Sequence, residues 1–348
     1  MQQIIFSRNL LADVDALCAT LAADRIFVLT DEVTNRLCLP LLSGSNALAQ
    51  AQPIVIGATD THKTLETLAQ VWTALSQGKA SRRSLLINLG GGMVTDLGGF
   101  AAATFKRGIE FINIPTTLLA MVDAAVGGKT GINFNGLKNE IGNFRDAHSV
   151  VIHTDFLRTL DAQNLRSGYA EMLKHSLLED RPTWAAHVAF PIENPDWAEL
   201  QELVRKSIAV KARIVKEDPQ EQGIRKALNL GHTVGHAFES FLLEEKRPVL
   251  HGYAVAWGLL CELFLSAAHT GFPLREMRQT VDFIRSVYGT FPFTCNDYDR
   301  LYEFMLHDKK NFAGVINFTL LAGVGQILLN QRLTRSQVYE SFDFLREG

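Results

Sequence analysis

The sequence contains few cysteines, no long apolar run and no strong excess of charge of either sign. Its four cysteines show no C-x-x-C spacing, which disfavours both a cysteine zinc site and a disulfide framework. No apolar run reaches the length of about 18 residues that a membrane-spanning helix needs, so no membrane partner is expected. Basic and acidic residues number 34 and 37, and no basic tract stands out, so no nucleic-acid partner is expected either.

The beginning of the chain also lacks the features of a secretory leader. Residues 1–6 do not combine a charged segment with a long apolar stretch, and we therefore expect a cytoplasmic protein. What is present is the composition of a folded protein. The 348 residues are 47% hydrophobic and 20% charged, which is enough for two domains with sizeable cores.

Two histidines four residues apart indicate one face of a helix. At about 3.6 residues per turn, His232 and His236 project into the same space. A zincin would place a glutamate directly after the first histidine as its general base, but this chain has Thr233 there, which disfavours peptidase chemistry. Together with His251 and Glu171, this pair predicts a divalent-metal site of one carboxylate and two of the three imidazoles. Ordinary core or surface histidines are the alternative.

A glycine-rich turn follows an apolar stretch at residues 84–89. Residues 90–92 are all glycine, and a helical stretch comes next. Glycine lets the backbone approach a ligand closely, and a helix N-terminus favours phosphate. The spacing is not the Gly-x-Gly-x-x-Gly of dinucleotide-binding folds, so a nucleotide site and a purely structural turn both stay open.

A second glycine-rich stretch, residues 126–133, carries Lys129 and is followed by Lys138 and Asn139. A P-loop needs a glycine five residues before its Gly-Lys pair, where this chain has Asp123, so an NTPase is disfavoured. We interpret the stretch as a loop suited to anionic and hydroxylated ligands. A solvated basic loop is the alternative.

The hydrophobic pattern divides the chain into two halves. It predicts an α/β N-terminal domain with a Rossmann-like, mostly parallel sheet at residues 1–154, and an all-α C-terminal domain at residues 155–348. The expected strands are 25–30, 53–57, 85–89, 111–114 and 150–152, with a helix at 61–77. The expected helices of the second half are 198–217, 232–243, 252–270 and 274–288, followed by a small hairpin from 315–321 and 325–330.

Five collinear motifs carry a resemblance to a known family. They are Asn-Leu-Gly-Gly-Gly at 88–92, Ile-Pro-Thr-Thr-Leu-Leu-Ala at 114–120, Gly-Gly-Lys-Thr-Gly-Ile-Asn at 127–133, Ala-Glu-Met-Leu-Lys-His at 170–175 and Leu-Asn-Leu-Gly-His-Thr-Val-Gly-His at 228–236. Over residues 53–325 the chain resembles the 3-dehydroquinate synthases of the shikimate pathway, sugar-phosphate cyclases that share their fold with iron-dependent polyol dehydrogenases.

The resemblance implies a lyase that uses NAD and one divalent metal, zinc or cobalt. Its substrate would be 3-deoxy-D-arabino-heptulosonate 7-phosphate, which is oxidised transiently at C5, loses phosphate by β-elimination, is reduced again and closes by an aldol addition to 3-dehydroquinate. Another sugar-phosphate cyclase and an NAD- and metal-dependent polyol dehydrogenase are the alternative enzymes. A binding protein with a relic site is the non-enzyme alternative.

The resemblance also assigns roles to individual residues. It gives the metal to Glu171, His232 and His251, which leaves His236 on the substrate side. The positions that match substrate contacts are Asp123, Lys129, Asn139, Lys174, Lys211, Arg225, Asn229 and His236, with Lys309 or Lys310 on the phosphate. The positions that match NAD contacts are Asp60, Lys63, Gly91, Gly92, Asp96, Thr116, Thr117, Lys129 and Lys138. Arg107 matches a residue that reaches the neighbouring subunit's site, which implies a homodimer.

The chain departs from the family pattern in two places. Asp60 and Lys63 fall where the family usually has Gly-Glu-x-x-Lys, so the acid is shortened and Thr59 replaces the glycine. This departure puts NAD binding through the loop in question. Pro219 is the second departure, and we expect it to end the preceding helix early.

Overall fold

A computed structural model describes residues 2–135, 137–306 and 315–347 of the chain. The chain divides into two compact units, Met1–Asp161 and Ala162–Gly348. The predicted fold class is confirmed, because the first unit holds a parallel sheet with helices and the second is mainly helical. The domain boundaries, with an NAD-binding domain at residues 1–154 and a metal- and substrate-binding domain at residues 155–348, stay predictions. Within the described ranges, no helix is both long and apolar enough to cross a membrane.

The first unit is built on a six-stranded sheet and carries a separate hairpin. The strands are β1 (Gln3–Phe6), β2 (Ile26–Asp31), β3 (Gln52–Ile56), β4 (Leu85–Gly90), β5 (Glu110–Pro115), β6 (Lys129–Phe134), β7 (Leu137–Phe144) and β8 (Ser149–Ile152). The helices are α1 (Leu10–Leu21), α2 (Glu32–Leu37), α3 (Leu65–Gln77) and α4 (Gly92–Thr104). The sheet has the order β1-β8-β5-β4-β2-β3, and every pairing in it is parallel.

The interior strands of this sheet are apolar because helices cover both faces. All six residues of β4 are buried, and α3 and α4 pack beside it around Leu68, Val71 and Leu97. The Trp72 indole N–H donates to the Ala101 carbonyl at 3.2 Å and links these two helices. The five strands expected from the sequence all form. Strand β1 was missed, since it has only four residues and lies at the edge of the sheet.

The prediction of a loop at residues 126–133 was wrong for its second part. Strands β6 and β7 form an antiparallel hairpin in which Gly131 lies opposite Gly142. A Cβ added at Gly131 would lie 2.6 Å from the Ile141 carbonyl oxygen, so glycine is what lets the two strands approach. Glycines in a strand mark such a close approach of backbones, and the sequence pattern does not distinguish that use from a loop.

The second unit contains eight helices and a small hairpin among its described residues. The helices are α5 (Ala162–Glu179), α6 (Arg181–Ala189), α7 (Trp197–Glu217), α8 (His232–Glu244), α9 (His251–His269), α10 (Leu274–Tyr288), α11 (Tyr298–Leu306) and α12 (Arg335–Glu347). Strands β9 (Phe318–Gly323) and β10 (Gln326–Gln331) pair antiparallel, as expected for residues 315–330.

After α7 the chain makes a tight turn that contains Pro219 and is closed by the Asp218 carboxylate. The helix ends at Glu217, as the proline at position 219 predicts. The Asp218 carboxylate then accepts hydrogen bonds from the backbone N–H groups of Gln222 at 3.0 Å and Gly223 at 2.6 Å. These bonds close the turn that leads into the segment of Arg225.

Helices α8 and α9 touch backbone to backbone. A Cβ added at Gly258 would lie 2.6 Å from the Gly235 nitrogen, and one at Gly235 would lie 2.8 Å from the Ala254 carbonyl oxygen. Small residues at such a crossing bring the two helix axes close together. The helices then have little freedom to shift relative to each other, because close-packed interiors contain few voids. The crossing therefore fixes where the histidines of both helices lie.

Candidate active site

Three imidazoles of the second unit meet where α8 and α9 begin. His232 is the first residue of α8 and His236 lies one turn later, with ring centroids 5.2 Å apart. His251 opens α9, and its ring centroid lies 5.3 Å from that of His232 and 5.8 Å from that of His236. One ring nitrogen from each histidine lies within 4.8 Å of the other two. Helical spacing explains the first pair, whereas only the fold brings His251 to them.

A buried carboxylate on α5 faces two of these imidazoles. Glu171 is fully buried, and its Oε1 atom lies 3.3 Å from His232 Nε2 and 3.5 Å from His251 Nε2. The Lys174 ammonium, one turn later, pairs with the other carboxylate oxygen. Burial alone would raise the pKa of Glu171, but Lys174 and His232 hold this pKa well below its usual range. The structure therefore stabilises an ionised carboxylate here.

The donor atoms fit a divalent metal. Four ligands at 2.0–2.2 Å from a tetrahedral ion stand roughly 3.3–3.6 Å apart, which matches the two distances from Glu171 Oε1 to the imidazole nitrogens. His232 Nδ1 lies 3.1 Å from the Leu230 carbonyl oxygen, and His251 Nδ1 lies 3.2 Å from Glu239 Oε2. With a proton on each Nδ1, these contacts are hydrogen bonds and the lone pair of each Nε2 faces Glu171. This is the usual tautomer of a histidine that binds a metal through Nε2.

Glu239 is a residue that the sequence analysis missed. It lies on α8, seven residues after His232, so helical spacing places both on the same face. Burial would lower the pKa of His251, but the charges of Glu239 and Glu171 raise this pKa to about 10. Two carboxylates thus favour positive charge at His251, whether a proton or a metal ion supplies it.

Three of the cations assigned to the substrate are buried in the same unit. Lys174, Lys211 and Arg225 are exposed by only 1%, 6% and 2%. Arg225 Nη1 donates to the Pro219 carbonyl at 2.6 Å, and Asn229 donates to Glu221 Oε1 at 3.2 Å. Burying several cations costs free energy unless anions compensate them, so the group is typical of an anion-binding site. The predicted Lys309 and Lys310 lie outside the described residues.

In the first unit, the predicted nucleotide glycines form the turn between β4 and α4. Gly91 is the N-cap of α4 and Gly92 its first residue. A Cβ on Gly91 would lie 3.0 Å from Thr117 Cγ2, and one on Gly92 would lie 3.1 Å from the Ala124 Cβ. Gly91 supplies no capping side chain, and the first N–H groups of a helix have no partner within it. Such a helix start suits a phosphate group.

The threonine motif after β5 supports this turn. The Thr116 N–H donates to the Gly90 carbonyl at 2.9 Å, which joins the two loops. The Thr117 hydroxyl oxygen accepts from the Ala120 N–H at 3.1 Å, at the start of a π-helical turn, Ala120–Ala124, that contains Asp123. Both threonines thus lie beside the glycine turn, and Asp123 follows within one short segment.

A buried lysine connects two further predicted residues. Lys63 is 3% exposed, and its ammonium lies 2.6 Å from Asp96 Oδ2 and donates to the side-chain oxygen of Asn139. Burial raises the pKa of Asp96 although the Lys63 ammonium opposes this shift. The residues predicted for NAD and for substrate therefore meet at Lys63.

Asn133 holds this network together and was missed as a site residue, although it ends the Gly-Gly-Lys-Thr-Gly-Ile-Asn motif. Its amide nitrogen donates to the Asp60 carbonyl and carboxylate, both at 3.2 Å. Its side-chain oxygen accepts from the Asn139 N–H at 2.9 Å, and its own N–H donates to the Lys63 carbonyl at 2.8 Å. Asp60 also pairs with Lys138, whose ammonium lies 3.6 Å from Oδ2.

Two predicted residues of the first unit point to solvent in the isolated chain. Lys129 begins β6 and is exposed. Arg107 is exposed as well, and it lies between Lys106 and Gly108 in a segment where all three residues have positive φ, at 50°, 68° and 112°. The chain turns sharply there after α4, and this turn presents Arg107 on the surface.

Family models match both parts of the chain. The 3-dehydroquinate synthase N-terminal model matches residues 53–167, and the 3-dehydroquinate synthase C-terminal model matches residues 168–311. A 3-dehydroquinate synthase of Parabacteroides distasonis is 53% identical over 347 residues, which cover 100% of this chain and 98% of the relative. One from Corynebacterium pseudotuberculosis is 36% identical over 355 residues, covering 99% of this chain and 96% of the relative.

Solved structures are similar over the whole chain. The 2-epi-5-epi-valiolone synthase ValA of Streptomyces hygroscopicus subsp. jinggangensis 5008, with NAD+ and Zn2+ bound, has a TM-score of 0.89 and 26% identity, covering 100% of this chain and 97% of that one. A 2-deoxy-scyllo-inosose synthase complexed with carbaglucose-6-phosphate, NAD+ and Co2+ has a TM-score of 0.85 and 21% identity, covering 99% and 96%. The second likeness concerns the fold alone.

Proposed function

The chain belongs to the 3-dehydroquinate synthase family, and we infer that it converts 3-deoxy-D-arabino-heptulosonate 7-phosphate into 3-dehydroquinate and phosphate. The structural observation that carries this inference is the buried Glu171 carboxylate, which faces two imidazole nitrogens and a lysine ammonium. A phosphate-eliminating cyclase needs a metal site beside anion-binding cations, and this unit contains residues for both.

We propose Glu171, His232 and His251 as the metal ligands. When bound, NAD supplies reversible hydride transfer and a divalent metal, zinc or cobalt, supplies Lewis-acid polarisation of a substrate oxygen. The outward partners of the two imidazoles, Glu239 and the Leu230 carbonyl, support this set because they orient each ring. Lys174 keeps the Glu171 carboxylate ionised and therefore able to bind a cation.

The remaining cations and amides bind and orient the substrate. The Arg225 guanidinium can engage a carboxylate or phosphate through two parallel hydrogen bonds, whereas Lys174 and Lys211 act as point charges. His236 and Asn229 hold the phosphate. In the elimination step the phosphate takes the proton from the carbon beside the C5 carbonyl, and the C–O bond to phosphate breaks as the new double bond forms. The protein's contribution is chiefly to position charge and exclude water.

In the first unit, we propose that the glycine turn at Gly91 and Gly92 binds the NAD pyrophosphate. The N–H groups at the start of α4 are the donors. Thr116 and Thr117 support the turn from the neighbouring loop. We propose that five further residues contact the same nucleotide, namely Asp96, Lys63, Asp60, Lys138 and Lys129. We propose that Asp123 and Asn139 contact the substrate.

The reaction is tested by an NMR time course. Purified protein is incubated with the heptulosonate 7-phosphate, catalytic NAD and zinc, with Glu171→Gln as the matched control. We expect 3-dehydroquinate and one released phosphate per turnover from the wild type, and neither product from the variant. Accumulating NADH would instead indicate a polyol dehydrogenase, and unchanged substrate would indicate a different cyclase.

The ligand set is tested by zinc content after gel filtration. We expect His251→Ala and Glu171→Gln to lose stoichiometric zinc while the circular dichroism spectrum stays that of the wild type. His236→Ala should keep its zinc and lose turnover, because we assign it to the substrate. If His236→Ala loses its zinc and His251→Ala keeps it, the proposed set is wrong. The metal would then be held by His232 and His236, the pair that helical spacing alone favours.

We also propose a homodimer in which Arg107 contributes to the partner's site. The hairpin of β6 and β7 supports it, because four large apolar side chains on it are exposed, namely Phe134 at 37%, Leu137 at 55%, Ile141 at 37% and Phe144 at 58%. Exposed apolar side chains on a two-stranded sheet favour contact with another protein surface. A second copy of the chain is the natural occupant, since most soluble oligomers are symmetric homodimers.

We propose a cytoplasmic location as well. All four cysteines are free thiols, three of them buried. Thiols persist in reducing compartments, whereas secreted proteins usually pair them. A role in the biosynthesis of aromatic amino acids from small phosphorylated precursors supports the same location. Fractionation of cells that express the tagged chain would check it.

A further inference from the structure

A buried carboxylate of α9 has no part in the proposed chemistry. Glu262 is 0% exposed and lies in an otherwise apolar stretch of the helix, between Cys261 and Leu263. Its Oε2 atom accepts a hydrogen bond from the Gly231 N–H at 2.6 Å, and its Oε1 atom accepts one from the Val234 N–H at 3.2 Å. Burying a carboxylate is costly without such partners, so both contacts require an explanation.

The two N–H groups belong to the start of α8. The first N–H groups of a helix have no partner within it and carry the positive end of its dipole, so a carboxylate is well placed there. Usually a side chain at the N-cap supplies this partner. Here the N-cap is Gly231, with φ of 78°, and a Cβ on it would lie 2.7 Å from Leu259 Cγ. The cap must therefore come from outside α8, and Glu262 supplies it.

The capped turn is the turn that carries a proposed metal ligand. His232 lies between the two capped residues, Gly231 and Val234, and its Nδ1 contacts the Leu230 carbonyl in the same turn. Glu262 shares α9 with His251, eleven residues away and therefore about three turns along the same face. The Glu262 bonds thus tie the backbone of one proposed ligand to the helix that carries another.

We propose that Glu262 is a positioning residue that holds His232 in register with His251 and so sets the metal affinity of the site. The proposal rests on the metal site inferred for the family reaction. An ordinary helix cap would contribute to folding alone. A positioning cap also lowers the free energy of metal binding, because the ligands need not be reorganised when the ion arrives.

The test measures zinc affinity rather than turnover. Metal-free wild type, Glu262→Gln and Glu262→Asp compete for zinc with a chromophoric chelator, well below their unfolding temperatures. The side-chain amide of the first variant accepts through one atom only, and the shorter carboxylate of the second reaches only one of the two N–H groups. We expect both variants to bind zinc roughly 10- to 100-fold more weakly, as other changes to the partners of metal ligands do.

The matched control is Glu276→Gln. Glu276 is also a buried carboxylate of the second unit, 6% exposed, but it pairs with Arg181 of α6 at 2.8 Å. We expect its zinc affinity to stay within twofold of the wild type. Wild-type zinc affinity in Glu262→Gln would overturn the proposal. Weak zinc binding by Glu262→Gln together with wild-type zinc binding by Glu262→Asp would overturn it too, because that pattern indicates an effect of the negative charge rather than of ligand position.

A second measurement needs no variant and covers the case in which substitutions at position 262 do not fold. If the cap and the metal are coupled, zinc must strengthen the cap by the same free energy with which the cap strengthens zinc binding. We expect zinc to slow hydrogen exchange of the Gly231 and Val234 N–H groups in the wild type. Unchanged exchange would overturn the inference. A wild type that binds no zinc would instead remove the metal site itself.

Discussion

Thr59 has a backbone conformation that is almost confined to glycine. Its φ of 76° and ψ of 160° place a β-branched side chain where steric clashes are severe. The following residue, Asp60, is anchored by Asn133 and Lys138, and these contacts oblige the chain to take this path. The departure from the family's glycine is therefore a source of strain in a loop that we assign to NAD.

Replacing this threonine by glycine should stabilise the protein. Relief of strain is worth about 1–3 kcal/mol, and the added flexibility of the unfolded chain costs roughly 0.5–1 kcal/mol, so we expect Thr59→Gly to raise the free energy of unfolding by about 1 kcal/mol. Urea titration measures it. Thr61→Gly is the control, because it removes the same hydroxyl contact, between Thr59 and Thr61, without relieving strain. If both variants destabilise equally, Thr59 is not strained.

His187 makes stability depend on pH. It is fully buried on α6, its Nδ1 contacts the Thr183 carbonyl oxygen at 2.8 Å, and its Nε2 finds no hydrogen-bond partner among the described residues. Burial lowers the pKa of His187 to about 4. The unfolded state, with an ordinary histidine pKa, binds the proton between pH about 4 and 6.5 and the folded state does not, so the free energy of unfolding falls as pH falls through this window.

We expect this histidine to cost the wild type about 2 kcal/mol of unfolding free energy between pH 7 and pH 5. His187→Gln should lack that loss, because glutamine does not titrate. Urea titrations at both pH values give the difference between wild type and variant, in which the other titrating groups cancel. Parallel pH dependence in the two proteins would show that His187 has the same pKa in the folded and the unfolded state.

At the scale of elements, the sequence predicted the strands and helices whose hydrophobic pattern is long or bounded by glycine and proline. Strand β4 and the helices α7 to α10 are of this kind. Strands β6 and β7 were not predicted, because Gly131 and Gly142 serve a cross-strand contact that only the paired partner reveals. Periodicity describes one segment at a time, and pairing between segments lies outside it.

The same limit applies to the site. Helical spacing joined His232 to His236, but the distance from His251 to Glu171 depends on how α5, α8 and α9 pack. Motif resemblance supplied that set from the family. Neither source indicated Glu239, Glu262 or Asn133, because these residues act through other residues of the chain rather than through a ligand.

Asn133 offers a test of whether the hairpin supports the loop that we assign to NAD. Asn133→Ala removes the side-chain bonds to Asp60 and Asn139, each worth about 1 kcal/mol, so the attachment of the loop before α3 to β6 is weakened, although the backbone bond to the Lys63 carbonyl stays. We expect the dissociation constant for NAD to rise roughly tenfold or more, with zinc content unchanged, as measured by calorimetry and metal analysis.

The control for this variant is Asn143→Ala. Among the described residues the Asn143 side chain bonds Thr130 alone, within the hairpin, so its loss weakens the hairpin without touching the loop. NAD affinity should stay near the wild-type value in this control. If Asn133→Ala binds NAD as tightly as the wild type does, the network around Asp60 is not part of the nucleotide site.

At the scale of the whole molecule, the question is whether one chain suffices for activity. Arg107 is exposed on a turn whose three consecutive residues have positive φ, a conformation that costs free energy for the two that are not glycine. The hairpin of β6 and β7 exposes four large apolar side chains. The turn costs free energy, and so does the exposure of the apolar side chains to water. A second copy of the chain that covered both would offset these costs.

Mixing inactive variants distinguishes action within one chain from action across a dimer. Arg107→Ala and Glu171→Gln should each be inactive alone. After the two are refolded together, a mixed dimer has one site with an intact Glu171 from one chain and an intact Arg107 from its partner. We expect about a quarter of wild-type turnover, since half of the dimers are mixed and each has one complete site. Mixing Arg107→Ala with the double variant should restore nothing, because no intact Arg107 is supplied. Absence of recovery in mixed dimers, verified by mass, would place Arg107 outside the partner's site.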